Sequence, residues 1–136
     1  MVAAIVDAGP LVVFLDGAEA HHRWVVEQVK VLDTPLLVCE PGLTETLHIL
    51  KRRPEAQDMV FELVEDGTLL LAFEIDDHIA ALRRLHRKYR DIPMSLADAC
   101  IVVMAEIHDR HLVFTLDSDF TLYRKHGRVP LEVLRP

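Results

Sequence analysis

The sequence predicts an α/β fold in one domain over residues 1–136, a five-stranded, mostly parallel sheet with helices on both faces. Three observations predict it. Short, continuous apolar runs recur along the chain, as expected of strands buried on both faces. Longer stretches with apolar side chains at helical spacing alternate with them. The 136 residues are 51% apolar with only five Gly and seven Pro, enough for a real core and unlike a disordered chain.

The elements follow in order. VAAIV, residues 2–6, is the first strand. The next residues, DAGPLVVFL, read as a turn, because Asp7 and Pro10 interrupt the apolar run. That interruption and the lack of a basic start argue against a signal peptide. AEAHHRWVVEQVKVLD is a helix with Trp24, Val25, Val29 and Leu32 at helical spacing, and LLVC is the second strand. PGLTETLHILKR opens on Pro, carries Leu43, Leu47 and Leu50 on one stripe, and ends in basic residues that suit a helix C-terminus. PEAQDMVFELVEDG is a helix closed by Gly67. TLLLAFE is the third strand, and DDHIAALRRLHRKYR a helix with a basic second half. SLADACIVVMAEIHDR is apolar nearly all round and is predicted as a central helix. LVFT is the fourth strand, DFTLYRKHG a short helix and LEVL the fifth strand.

Charge and composition narrow the function classes. A net charge of −7 argues against a protein that coats nucleic acid with positive surface. The basic residues are nevertheless clustered: Lys51, Arg52 and Arg53 in one run, Arg83, Arg84, Arg87, Lys88 and Arg90 in another, eight of fifteen in all. Each cluster reads either as a solvated helix face or as a local phosphate-binding patch. No apolar run approaches bilayer-spanning length, so no membrane association is expected. Cys39 and Cys100 lack metal or redox spacing and read as buried free thiols of a cytoplasmic protein.

The informative residues are acids. In parallel α/β sheets, sites lie at the C-terminal ends of strands beside the switch in strand order. Asp7 follows the first strand, and Asp117 and Asp119 follow the fourth in TLDSDF. Asp98 lies in the first turn of the apolar helix and Glu45 in the helix after strand two. Each has an ordinary reading. Asp7 caps a turn, Asp98 completes a capping box with Ser95, Asp117 is an N-cap, and Glu45 faces solvent. Together they point to a shared site, because crowded carboxylates repel one another unless a hard divalent cation offsets them. Such a site suits phosphodiester hydrolysis by an activated water.

The order IVDAGPLVVFLD, TETLHIL, LADACIVVMA and FTLDSDF resembles the PIN-domain ribonucleases, and most closely the VapC-type toxins of toxin–antitoxin pairs. The resemblance runs nearly end to end, and L-x-D-A followed by T-x-D-x-D-F is its specific part. It implies a five-stranded PIN-like domain and a Mg²⁺-dependent endoribonuclease, with Mn²⁺ as a possible substitute. It assigns Asp7, Glu45, Asp98 and Asp117 to the acidic site, with Asp119 as a further acid. Asp7, Asp98 and Asp117 hold the metal, and Thr115 bonds a ligand carboxylate or water. Glu45 or Asp119 serves the attacking water as base, and Glu40 rivals Glu45 for the helix position. The basic residues Arg83, Arg84, Arg87, Lys88, Arg90, Lys51 and Arg52 bind flanking phosphates of an RNA substrate. A homodimer and a cognate antitoxin protein are also implied. The stretches PLVVFL and HRWVVEQV read as interface or as core.

Two other classes share parts of this pattern. A phosphoacceptor signalling module also gathers acids at strand ends, but it wants a Lys after its last strand, where Arg135 stands. A catalytically silent PIN module would keep the fold for protein binding. Glu19–His22 and Glu45–His48 have the Glu-x-x-His spacing of di-iron bundles, which belongs to four long helices rather than to this chain. The eight His follow no zinc pattern, and His86 and His108 read as surface residues.

Overall fold

The structure is a computed structural model and describes residues 2–136. Its strands are β1 (Ala4–Val6), β2 (Leu36–Val38), β3 (Leu69–Leu71), β4 (Leu112–Phe114), β5 (Arg124–Lys125), β6 (Val129–Pro130) and β7 (Val133–Leu134). Its helices are α1 (Ala8–Leu15), α2 (His22–Val31), α3 (Glu40–Ile49), α4 (Pro54–Glu65), α5 (Ile79–Lys88) and α6 (Leu96–Ile107). Five strands form one sheet in the order β3-β2-β1-β4-β7, and every pairing in it is parallel. The chain runs outward from β1 to β3 and then returns to β4 on the other side of β1. The switch in strand order therefore lies between β1 and β4, which pair Val6 with Phe114.

Alternation along the strands sorts the core into two layers. Ile5, Leu37 and Val113 pack with α6 and with Leu82, Leu85 and Tyr89 of the α5 region. Ala4, Val6, Val38 and Phe114 pack on the opposite face with α1, α2 and part of α4. Helix α3 packs against α1 and α6. Its Leu43 and Leu47 join Val12, Leu50, Ala56 and Val60 in a third cluster. The central position expected for α6 is met, since eight of its residues are buried.

The structure corrects two of the sequence expectations. DAGPLVVFL is not a turn but helix α1, capped by Asp7, whose side chain accepts from the Ala8 amide. Pro10 lies in its first turn, where a missing N–H leaves no helical bond unmade. Pro10, Leu11, Val12 and Val13 are buried and Val25 of α2 is fully buried, so PLVVFL and the centre of HRWVVEQV are core. DFTLYRKHG is likewise not a helix but a single 3-10 turn, Ser118–Thr121, followed by the hairpin β5–β6. His126 (φ 52°) and Gly127 (φ 84°) turn that hairpin in the left-handed region. The hairpin is fastened to the end of α6: the His126 amide donates to Glu106, and Lys125 pairs with Asp109 at 2.8 Å. The third strand is shorter than TLLLAFE, with Leu70 and Leu71 exposed at the sheet edge.

Candidate active site

The site grows from strand register. Asp7 and Thr115 each follow the last residue of a paired strand, and the Asp7 amide donates to the Phe114 carbonyl at 2.9 Å. Alternation carries Asp7, Cys39 and Thr115 to the side of the sheet that bears Ile5, Leu37 and Val113, hence towards α6. There the Thr115 hydroxyl, fully buried, donates to Asp7 Oδ2 at 2.8 Å and accepts from the Asp117 amide at 2.9 Å. Asp117 in turn caps the 3-10 turn, its Oδ1 accepting from the Asp119 amide at 2.9 Å. Phe120 then returns to the core.

Asp98 arrives from the α6 side. Its amide donates to Ser95 Oγ at 3.0 Å, and its Oδ2 accepts from the Ser95 amide at a longer 3.4 Å, completing the capping box. The same oxygen accepts from the Tyr123 hydroxyl at 3.0 Å. Sequence reasoning missed Tyr123. It is fully buried, edge-on to Tyr89 and Phe120, and stands like any core aromatic in the sequence. Only folding brings its hydroxyl to an acid 25 residues away.

The electrostatics of the cluster are those of crowded acids. Burial pushes the Asp7 carboxyl up to about 6, against the bonds from Thr115 and Ala8, and the charges of Asp98 and Glu45 raise it further. Asp98 is raised as well, by burial first and by Asp117 among its neighbours. Burial and the nearby Asp98 carboxylate push the Tyr123 hydroxyl up, which keeps it a donor. Among the described residues none of the five acids is in an ion pair with Lys, Arg or His. Cys39 and Cys100 are both buried free thiols, and the neighbouring Cys39 and burial raise the Cys100 thiol.

Glu45 and Glu40 both lie on α3 and are both exposed, and it is Glu45 whose charge reaches Asp7. Glu40 instead lines a small surface cleft with Phe73, Glu74 and Asp76. Of the basic residues, Arg83, Arg84, Arg87 and Lys88 are exposed on α5, Arg90 lies just beyond it, and Lys51 and Arg52 follow α3. Arg53 pairs with Asp16 at 3.4 Å.

Among the described residues no three Asp, Glu, His or Cys side chains close into a ready-made coordination cage. The donor set still suits a hard, hydrated cation. Mg²⁺ takes oxygen ligands, keeps several waters and uses one or two carboxylates directly. Asp98 Oδ1 and Asp117 Oδ2 accept no hydrogen bond among the described residues and are left for such a role.

No helix among the described residues is long and apolar enough to cross a membrane. No curated protein matches the chain significantly. In fold it is similar to Mycobacterium tuberculosis VapC20, whose crystal structure is described as that of a sarcin-ricin loop cleaving toxin. The TM-score is 0.80 at 16% identity, over 98% of this chain and 100% of that one. At that identity the likeness is one of fold. In sequence, residues 4–125 match the PIN domain, a span holding Asp7, Glu45, Asp98, Asp117 and Asp119. The chain belongs to the PIN-domain family.

Proposed function

We propose that the chain is a metal-dependent endoribonuclease, the toxin of a VapC-type toxin–antitoxin pair, with a cognate antitoxin protein as partner and a homodimer as its assembly. The observation that carries this reading is an uncompensated carboxylate cluster at the strand switch, in which Asp7 is buried, Asp98, Asp117 and Asp119 are half-buried and Glu45 is exposed. Asp7 is only 8% exposed, feels Asp98 and Glu45, and has no cation beside it among the described residues. Burying such a group is unfavourable for stability and is retained where chemistry needs it. Family membership and the fold shared with the toxin VapC20 support the same reading. The phosphoacceptor reading has no observation in its favour.

In this reading Asp7 and Asp98 hold Mg²⁺, or Mn²⁺ in its place, with Asp117 bound directly or through water. When bound, the ion lowers the pKa of a water and offsets charge on the phosphate. Thr115 fixes one oxygen of Asp7 and sets the Asp117 backbone. Tyr123 and Ser95 fix one oxygen of Asp98 and leave the other free. Glu45 or Asp119 takes the proton from the attacking water. Exposed Arg and Lys of α5 bind the phosphates of single-stranded or looped RNA. The products carry a 5′-phosphate and a 3′-hydroxyl.

The test is cleavage of labelled total RNA by the wild type and by Asp7→Asn and Asp98→Asn, each with Mg²⁺, Mn²⁺ or EDTA. Discrete fragments that need metal and vanish in both variants are expected. No cleavage by folded, metal-loaded wild type would favour a silent, protein-binding PIN module.

A further inference from the structure

A path of hydrogen bonds leads from the end of α5 to the acidic cluster. Tyr89, the first residue after α5, is buried, and its hydroxyl oxygen accepts from the Arg124 amide at 2.8 Å. The Arg124 side chain folds back, and its Nη1 donates to the Tyr123 and Thr121 carbonyls, each at 2.9 Å. The Tyr123 carbonyl and the Arg124 amide are the two polar ends of one planar peptide unit. Bonds at both ends fix the rotation of that plane. Lys88, one residue before Tyr89, donates to the Gly127 carbonyl at 2.6 Å, so the end of α5 grips the β5–β6 hairpin at two points.

Fixing that peptide matters because of what Tyr123 carries. Its ring is fully buried and edge-on to Tyr89, with centroids 5.0 Å apart, and its hydroxyl donates to Asp98 Oδ2 at 3.0 Å. A tyrosine hydroxyl stands at the far end of a rigid arm. A small backbone rotation therefore carries it out of hydrogen-bond range. We propose that Tyr89 is a positioning residue for the metal site. Its hydroxyl fixes the Tyr123–Arg124 peptide, the peptide aims the Tyr123 hydroxyl, and that hydroxyl keeps the Asp98 carboxylate in one orientation for a bound cation. The inference rests on the metal-dependent reading above and adds to it a residue bonded to none of the acids. Packing alone would be served by the Tyr89 ring; the hydroxyl is the part that an apolar core has no use for.

The test is a double-mutant cycle read by Mn²⁺ binding to the RNA-free protein, followed by electron paramagnetic resonance, with circular dichroism of every variant. Tyr89→Phe keeps the ring and removes only the hydroxyl. Its Mn²⁺ affinity is expected to fall roughly fivefold, less than the roughly tenfold of Tyr123→Phe because it acts one bond further out. In the double variant the loss should stay near roughly tenfold rather than multiply to roughly fiftyfold, since Tyr89 acts only through the Tyr123 hydroxyl. Hydrogen exchange at the Arg124 amide, measured without metal, should quicken in Tyr89→Phe. Arg124→Lys keeps the charge but not the fork on the Tyr123 carbonyl; it lies nearer the surface than Tyr89 and should lower affinity in the same direction. Gln57→Met, which loses a 2.9 Å bond to the Leu47 carbonyl on α3, should lower the melting point and leave Mn²⁺ affinity alone. Unchanged affinity in Tyr89→Phe, losses that multiply in the double variant, or an equal loss in Gln57→Met would each overturn the inference. Mn²⁺ binding that is abolished in Asp98→Asn yet indifferent to Tyr89 would leave the metal site standing and remove Tyr89 from it. A folded wild type that binds no Mn²⁺ would remove both.

Discussion

If Asp7 is kept for chemistry, the metal-free protein should become more stable when its charge is removed. Its carboxyl is raised from 3.8 to about 6 in the folded chain. That difference corresponds to about 3 kcal/mol of lost stability at pH 8, at 1.36 kcal/mol per pKa unit. Between pH 4 and 6 the folded state holds a proton that the unfolded state has released. Stability from this group is therefore lowest above pH 6 and recovers as the pH falls towards 4. Asp7→Asn removes the charge at nearly constant shape. Asn can still accept from the Ala8 amide as a helix cap, while the Thr115 bond is weakened at a cost of about 1 kcal/mol. The net expectation at pH 8 in EDTA is a gain of about 1–2 kcal/mol, or a melting point higher by about 3–8 °C for a chain of this size. Urea and thermal denaturation at several pH values from 8 to 4 measure it. The gain should shrink through pH 6 and disappear near pH 4. Mg²⁺ should raise the melting point of the wild type and not of Asp7→Asn. A variant less stable than wild type at pH 8, or a difference that does not vary with pH, would refute the reasoning and reduce Asp7 to a cap.

Two further substitutions test how the acids are held. Thr115→Val keeps the shape of a fully buried residue but leaves Asp7 Oδ2 and the Asp117 amide without their partner. It should lower urea stability by about 2–3 kcal/mol. It should also raise the Asp7 carboxyl further, so that acid begins to stabilise the metal-free protein above pH 6 rather than below it. Tyr123→Phe keeps the aromatic packing and frees Asp98 Oδ2 from its 3.0 Å donor. Metal affinity followed by Mn²⁺ spectroscopy should fall about tenfold, as for outer partners of metal ligands, with folding little changed; unaltered affinity would deny Tyr123 a positioning role.

Much of this architecture was legible in the sequence because it follows from periodicity. Continuous apolar triplets marked β1, β2 and β4, and the all-round apolar LADACIVVMA marked α6 as the buried helix. Helix α1 was hidden for the same reason. AGPLVVFL is apolar throughout, so it shows no helical stripe, and Gly9 with Pro10 imitates a turn. The β5–β6 hairpin was hidden because Phe120 and Tyr123 have helical spacing. Its turn depends on positive φ at His126 and Gly127 and on ties to Glu106 and Asp109 that no local pattern reveals. In the site, Asp7, Asp117 and Asp119 announce themselves by following strands, and Asp98 by opening the one helix that is apolar nearly all round. Tyr123 does not, because a hydroxyl at the rim of a core looks like any other buried ring.

The capping duties of Asp7, Asp98 and Asp117 bear on how this gene can change. Each carboxylate holds backbone amides at the start of a helix or turn. Asn performs the same duty almost as well as Asp. Asp and Asn codons differ by one transition. A single nucleotide change at any of the three positions therefore leads to a chain that folds, keeps its caps and lacks a charge in the cluster. Under the proposed toxin activity, the shortest mutational route out of self-poisoning ends in an intact protein that still meets its antitoxin, rather than in a misfolded one. Inactive alleles should accordingly carry Asn at these positions more often than Ala or Val, and should accumulate to normal levels in the cell.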